Sequence, residues 1–291
     1  MTIDPEAFRI FEHAGWEAIP EQYHQAFGGL TTQTIGPLLD AVGVKSGTKF
    51  LDVATGPGYV AAAAAKRGAT VLGIDFSSRM IEQARQLHPG IEFRQGDAEQ
   101  LPVGSSLFDS AATNFGILHF AQPEIALREA WRVIRAHGYF AFTAWARPEE
   151  TIGFDIVLRA VEAYGEPGIE LPEGPHFFRF SDPAECVREL IGAGFENPTV
   201  VKVPQLWRLP NGEALFDVMR NSTVRTAGLL QSQKPVVLQK IRAAICADAE
   251  QYRVGDFIEL RMPALIAAGA KATGGDSRAV RLRNSIVKRT G

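Results

Sequence analysis

The sequence predicts a doubly wound α/β fold on a mainly parallel sheet, and two observations carry this. From Thr48 onward, short apolar runs alternate with helical patterns, the mark of repeated β-α units. The first such run, LDVATGPG at 51–58, ends in a glycine-bearing turn and opens a helix. With 291 residues, 46% of them hydrophobic, the chain has ample material for a large core.

The first 45 residues read as helical, because Phe8, Phe11, Ala14 and Gly15, then Ile19, Tyr23, Ala26 and Phe27 recur at spacings of three and four, with Pro20 interrupting. A further helix is expected over 33–42. Strands are expected at 49–54, 70–75, 91–95, 107–114 and 138–145, with helices at 59–67, 78–88 and 123–136 between them. Beyond Pro148 come a helix over 154–164, a loop rich in Pro, Gly and aromatics (EPGIELPEGPHFFRF), a helix over 183–193 and a strand at 198–207. An insertion at about 208–255, with helical patterns at 213–227 and 235–251, precedes a last strand at 257–267. The division is therefore a helical segment at 1–45, an α/β domain at 46–270 and a basic tail at 271–291. In the tail Lys271, Arg278, Arg281, Arg283, Lys288 and Arg289 face Asp276 alone, and it reads as solvated.

The formal charge of −3 gives no reason to expect nucleic acid as a partner, and a small or apolar ligand fits better. Cys186 and Cys246 stand far apart, outside any metal-binding spacing, so neither a disulfide framework nor a metal is expected. The N-terminus MTIDPEAFRIFEHAG lacks the pattern of a signal peptide, and no run approaches a membrane span; a cytoplasmic address is the expectation.

In LDVATGPG, Gly56 and Gly58 let the backbone approach a ligand, and the helix start that follows favours an anionic group. The next strand, TVLGID, ends in Asp75, where the ribose hydroxyls of a nucleoside would be met. Gly56, Gly58 and Ala61 also satisfy the dinucleotide fingerprint, which keeps an NAD(P)-dependent oxidoreductase open as an alternative. Asp52, four residues before Gly56, gives D-x-x-x-G-x-G, and GDAEQLP at 96–102 follows the third strand.

With these motifs the chain resembles the class I S-adenosylmethionine-dependent methyltransferases over 23–268, most strongly over 51–145. It is most similar to the small-molecule branch that includes the ubiquinone and menaquinone C-methyltransferases, through LDVATGPG, GIDFSSRMIEQAR, GDAEQLP and FDSAATNFGILHF. Two departures stand out: Ala54, a conservative change, occupies a position where many members have glycine, and the N-terminal patterns of a true quinone methyltransferase are missing.

The resemblance implies a Rossmann-like seven-stranded sheet with an antiparallel last strand, under an N-terminal helical lid and with a helical insertion before that strand. It implies S-adenosylmethionine as cofactor, S-adenosylhomocysteine as product and a small-molecule acceptor. Gly56 and Gly58 would hold the methionine end, with Asp52 and Ala54 of the preceding strand also at the cofactor, Asp75 the ribose, and Asp97 with Ala98 the adenine. Phe76 and Met80 would flank the ring. Asn114 would contact the methionine portion and Phe115 lie beside the donor, at the carboxyl end of the fourth strand.

His119 stands close to that edge and is the candidate general base for a hydroxyl or carbon acid; the competing reading is a structural loop histidine. Tyr23 and Trp16 would belong to the lid. Trp145, Phe177 and Phe178, with Phe180, are candidate walls for an apolar or aromatic acceptor. The insertion would either complete that pocket or form a dimer contact, leaving monomer and homodimer open. NFGILHF lacks the Pro-Pro-aromatic continuation of enzymes acting on nucleobase amines or glutamine amides. O-, N- and C-methylation all stay open, as does a non-catalytic module that only binds the cofactor.

Overall fold

A computed structural model describes residues 4–272. The predicted tail beyond Ala272 lies outside the described residues.

Asp4 caps helix α1 (Pro5–Ala18) by accepting from the N–H groups of Glu6 and Ala7. Pro20 cannot continue that helix and instead opens α2 (Pro20–Thr31). A 3-10 turn at Thr32–Thr34 leads into α3 (Ile35–Ala41). The alternating units follow: β1 (Lys49–Val53), α4 (Tyr59–Lys66), β2 (Thr70–Asp75), α5 (Ser78–Leu87), β3 (Glu92–Gln95), β4 (Phe108–Thr113), α6 (Pro123–Val133) and β5 (Ile134–Trp145). After α7 (Ile152–Tyr164) and α8 (Pro183–Ala193), β6 (Glu196–Val203) and a late strand close the sheet.

The main sheet has seven strands in the order β3-β2-β1-β4-β5-late-β6. Strands β1 to β5 are parallel, and the late strand is antiparallel to both β5 and β6. This is the doubly wound sheet expected, closing strand included. The order reverses between β1 and β4, so a crevice opens above their carboxyl ends, where ligands of open α/β sheets sit. Leu51, Ile74, Ala111 and Phe142 are fully buried beneath it, with helices on both faces.

The two last predicted strands differ from expectation. Residues 198–207 split into β6 and β7 (Leu206–Leu209), and 257–267 into β9 (Phe257–Arg261) and β10 (Ala264–Ala270), the late strand of the main sheet. Pro204 and Pro263 stand at the breaks, where a residue without an N–H cannot carry a ladder onward. Gln205 bridges the gap, its Nε2 donating to the Met262 carbonyl at 3.0 Å and its carbonyl accepting from Met262 N at 2.9 Å. Strands β7, β9 and the short β8 (Arg253–Val254) form a second sheet.

The insertion likewise breaks into α9 (Gly212–Asn221), α10 (Arg225–Gln231) and α11 (Pro235–Glu250). Lys271, expected as the first residue of the solvated tail, is held by the domain: its Nζ donates to the carbonyls of Trp131 and Ile134, both at 2.7 Å, and sits 3.8 Å from the Trp131 ring centre. Among the described residues no helix is long and apolar enough to cross a membrane, and no cluster of side chains has the makings of a metal site.

Candidate cofactor and acceptor site

The turn after β1 holds three left-handed residues in five: Ala54 (φ +52°), Gly56 (φ +51°) and Gly58 (φ +83°). Glycine adopts this conformation freely, whereas alanine does so at a cost of about 1 kcal/mol. Ala54 is therefore not a neutral replacement. A Cβ added to Gly116 would stand 2.7 Å from the Ala54 methyl, so the two segments meet closely only because Gly116 has none. At Gly58 a Cβ would lie 2.8 Å from the Phe93 ring, whereas at Gly56 it would enter open space facing the crevice.

Two buried carboxylates shape this turn. Asp52 Oδ2 accepts from the Thr55 hydroxyl at 2.5 Å and from Ala61 N at 2.9 Å, tying β1 to the start of α4. Burial pushes its pKa up to about 7 against those two hydrogen bonds, and nearby Asp75 adds to the rise. Asp75 accepts from Gly56 N at 2.8 Å and Ser77 N at 3.0 Å, one on each oxygen. Burial raises it to about 6 against these hydrogen bonds. Each Asp75 oxygen keeps a lone pair, and the residue lines the crevice. Asp52 lines it too, with its carboxylate engaged by the turn.

Asp97 and Ala98 follow β3 and line the same crevice, as do Phe76 and Met80. Asp97 Oδ1 accepts from Glu99 N at 2.8 Å, and Oδ2 lies 3.3 Å from Arg9 Nε of α1. Arg9 also pairs with Glu99. Asn114 lines the cavity, with its amide committed to the protein: Oδ1 accepts from the Thr34 and Thr143 hydroxyls, both at 2.8 Å, and Nδ2 donates to the Thr31 carbonyl at 3.0 Å. It thereby staples the N-terminal helices to β4 and β5.

Beyond the glycine turn the cavity continues into an aromatic chamber. Trp16, Tyr23 and Phe27 cover it from α1 and α2; Phe115, Trp145, Phe154 and Phe177 wall it. Phe115 stacks on Trp145 with ring centres 4.1 Å apart. Residues Ser222 to Thr226 close one side, so the insertion completes the pocket. Phe178 does not join this wall. It sits at the start of a 3-10 turn, Arg179–Ser181, that points its ring inward against Phe154 and Phe177. Phe180 is buried on Phe142 in the same way.

His119 ends the 3-10 turn Gly116–His119 and lines the chamber. Its Nδ1 lies 3.0 Å from Oε2 of Glu12, a fully buried carboxylate of α1 that is not among the residues predicted for the site. Trp16 Nε1 donates to the same oxygen at 3.0 Å, and Arg225 Nε of α10 donates to Oε1 at 2.8 Å. Burial alone would raise the Glu12 pKa, but the charges and hydrogen bonds of His119 and Arg225 outweigh it and hold the carboxyl below its ordinary value. The available signal was spacing: Phe8, Glu12 and Trp16 fall four residues apart on one helix stripe, placing an acid among apolar neighbours.

Residues 51–142 match the family described as a methyltransferase domain. The matched segment runs from β1 into β5. Its sequence is similar to a demethylmenaquinone methyltransferase of Renibacterium salmoninarum, 32% identical over 130 residues, which are 43% of this chain and 55% of that protein. A namesake from Chlorobaculum parvum is 41% identical over 91 residues, covering 31% of this chain and 38% of its own. The chain thus spans about half, or less, of these relatives.

In fold it is similar to a phosphoethanolamine N-methyltransferase of Haemonchus contortus, solved with S-adenosylhomocysteine (TM-score 0.57, 16% identity, 91% of this chain and 60% of that one). It is similar also to an S-adenosylmethionine-dependent methyltransferase of Thermotoga maritima (TM-score 0.52, 19% identity, 89% and 99%). The cofactor named with these two structures is S-adenosylmethionine, or its product. The residues present fit it: open space at the Gly56 Cβ position, and at Asp75 a carboxylate with a spare lone pair on each oxygen for a ribose diol.

Proposed function

We propose that this protein transfers a methyl group from S-adenosylmethionine to a small apolar or aromatic acceptor. The observation that carries this is the continuity of the cavity, which runs from Asp97 and Asp75 past Gly56 into the aromatic chamber, with His119 on its wall. When bound, S-adenosylmethionine supplies a methyl carbon already activated by its sulfonium, and the new bond forms to the acceptor as the carbon–sulfur pair returns to sulfur.

The chain's own work is alignment and exclusion of water. Gly56 admits the methionine end, while Gly58, packed on Phe93, shapes the turn that Asp52 holds, with Ala54 and Asn114 beside it. Asp75 takes the ribose hydroxyls, Asp97 and Ala98 the adenine edge, and Phe76 and Met80 its faces. Residues 1–45 act as a lid over a domain at 46–270, with Trp16 and Tyr23 roofing the chamber. Trp145, Phe115 and Phe177 flank a flat acceptor, and a quinol-type ring agrees with the names of the relatives. His119 takes the acceptor's proton and passes it to solvent.

The test is methyl transfer to a panel of phenols, quinols, amines and carboxylates, read as S-adenosylhomocysteine release, beside titration with S-adenosylmethionine and NAD. Binding of the dinucleotide alone would overturn the proposal. His119→Ala should lower kcat about 100-fold on a hydroxyl or carbon acceptor while S-adenosylhomocysteine binds normally. Full turnover by that variant would remove His119 from the chemistry.

A pH dependence follows from Asp75. The ionised carboxylate accepts both ribose hydroxyls, so below its raised pKa of about 6 a proton must leave before the cofactor is held. Affinity for S-adenosylhomocysteine, measured by calorimetry, should rise with pH and be about tenfold weaker at pH 5 than at pH 7. A flat profile would count against Asp75 as the ribose acceptor.

A further inference from the structure

Three separate parts of the chain converge on the Glu12 carboxylate. Glu12 itself belongs to α1, His119 to the edge of the main sheet, and Arg225 to the insertion. Because an ionised carboxylate can only accept, its 3.0 Å contact requires His119 Nδ1 to carry the proton. In a neutral imidazole the lone pair then belongs to Nε2, which has no hydrogen-bond partner among the described residues, on a ring that lines the cavity. The other groups facing His119 are Trp16 from α1, at 4.8 Å between ring centres, and Phe177, at 6.1 Å.

Arg225 Nε holds the other carboxylate oxygen, Oε1, at 2.8 Å, which leaves Oε2 to orient the imidazole. The remaining guanidinium nitrogens are used as well, donating to the carbonyls of Pro175 at 2.7 Å and Leu118 at 2.9 Å. The contact depends on α1 lying hard against the insertion. A Cβ on Gly15 would stand 2.5 Å from the Val224 side chain, and only a glycine there allows the approach.

We propose that Glu12 is a positioning residue: carried in on α1, it fixes His119 as the Nδ1–H tautomer and leaves Nε2 as the base toward the acceptor, so that the base is assembled only when the N-terminal helices are closed. This rests on the reading of His119 as the base. The deciding measurement is independent of turnover: imidazole 15N chemical shifts of the full chain with labelled histidine, at pH 8 and saturating S-adenosylhomocysteine.

Wild type should show His119 as the Nδ1–H tautomer. Glu12→Leu combined with Arg225→Met, which removes the buried pair without stranding a charge, should revert it to Nε2–H. Glu12→Asp should restore the wild-type signature in part. With 1,4-dihydroxynaphthalene as acceptor, the double variant should lose kcat as His119→Ala does, about 100-fold, with KM for the cofactor within threefold. An Nε2–H tautomer in wild type, or an unchanged tautomer in the folded double variant, overturns the proposal. If wild type methylates no acceptor, the tautomers still decide the role of Glu12, and the proposed activity fails on its own.

Discussion

Asp75→Asn is expected to weaken binding of S-adenosylhomocysteine about 100-fold. Two ribose hydroxyls donating to an ionised carboxylate form charge-assisted hydrogen bonds of about 1.5 kcal/mol or more each. Their loss amounts to about 3 kcal/mol, and 1.4 kcal/mol is tenfold. Asparagine keeps the shape but turns an amide N–H₂ toward a position where Gly56 N or Ser77 N already donates, so both ligand and turn lose an acceptor.

Without cofactor the sign is reversed. A carboxyl raised by burial to about 6 binds its proton more tightly folded than unfolded. Its contribution to stability is therefore present at low pH and is lost as pH rises from about 4 through 6. Thermal unfolding at pH 8 should find the Asp75→Asn variant folded, its melting temperature within a few degrees of wild type. Calorimetric affinity within threefold of wild type would remove Asp75 from the site.

Gly58→Val is expected to destabilise the fold by about 3 kcal/mol. A β-branched residue at φ +83° costs about 1–2 kcal/mol in backbone strain. Its Cβ would also stand 2.8 Å from the Phe93 ring and 3.0 Å from His88, an overpacking worth about 1–3 kcal/mol more, because Phe93 is buried and has nowhere to swing. Urea denaturation reads this as a lowered midpoint at an unchanged slope. Gly56→Ala provides the contrast: its Cβ meets open space, so about 1 kcal/mol of strain is the whole stability cost, and the methyl group intrudes instead where the cofactor is placed. A Gly58→Val midpoint matching that of Gly56→Ala would show that the turn tolerates side chains at both positions.

The main sheet was legible because its signals are local. Apolar runs of strand length, bounded by Gly, Asp and Pro, alternate with helical stripes, and the only question left for each was its exact end. The second sheet was not legible. Residues 198–207 and 257–267 each read as one strand, and Pro204 and Pro263 mark breaks whose meaning depends on what the freed segments pair with across the fold. Phe178 failed for a related reason, since neighbouring aromatics on an irregular loop have no period from which to tell an inward ring from one facing a cavity.

The contrast between Asp75 and Glu12 has the same origin. Asp75 sits at the end of a strand in a repeated unit, where its surroundings follow from a few residues of nearby sequence. Glu12 is just another acid on an amphipathic helix until His119, 107 positions later, and Arg225, 213 positions later, are brought against it.

The doubly wound sheet, the glycine turn after β1 and the acidic positions at its strand ends are written in the order of residues alone, all properties of short range in the chain. Packing of distant segments is what strains Ala54, closes the aromatic chamber with the insertion, and brings a carboxylate of the first helix against the histidine. Each of these depends on the approach of segments far apart in sequence, set by packing, and packing leaves no periodic trace in any one of them.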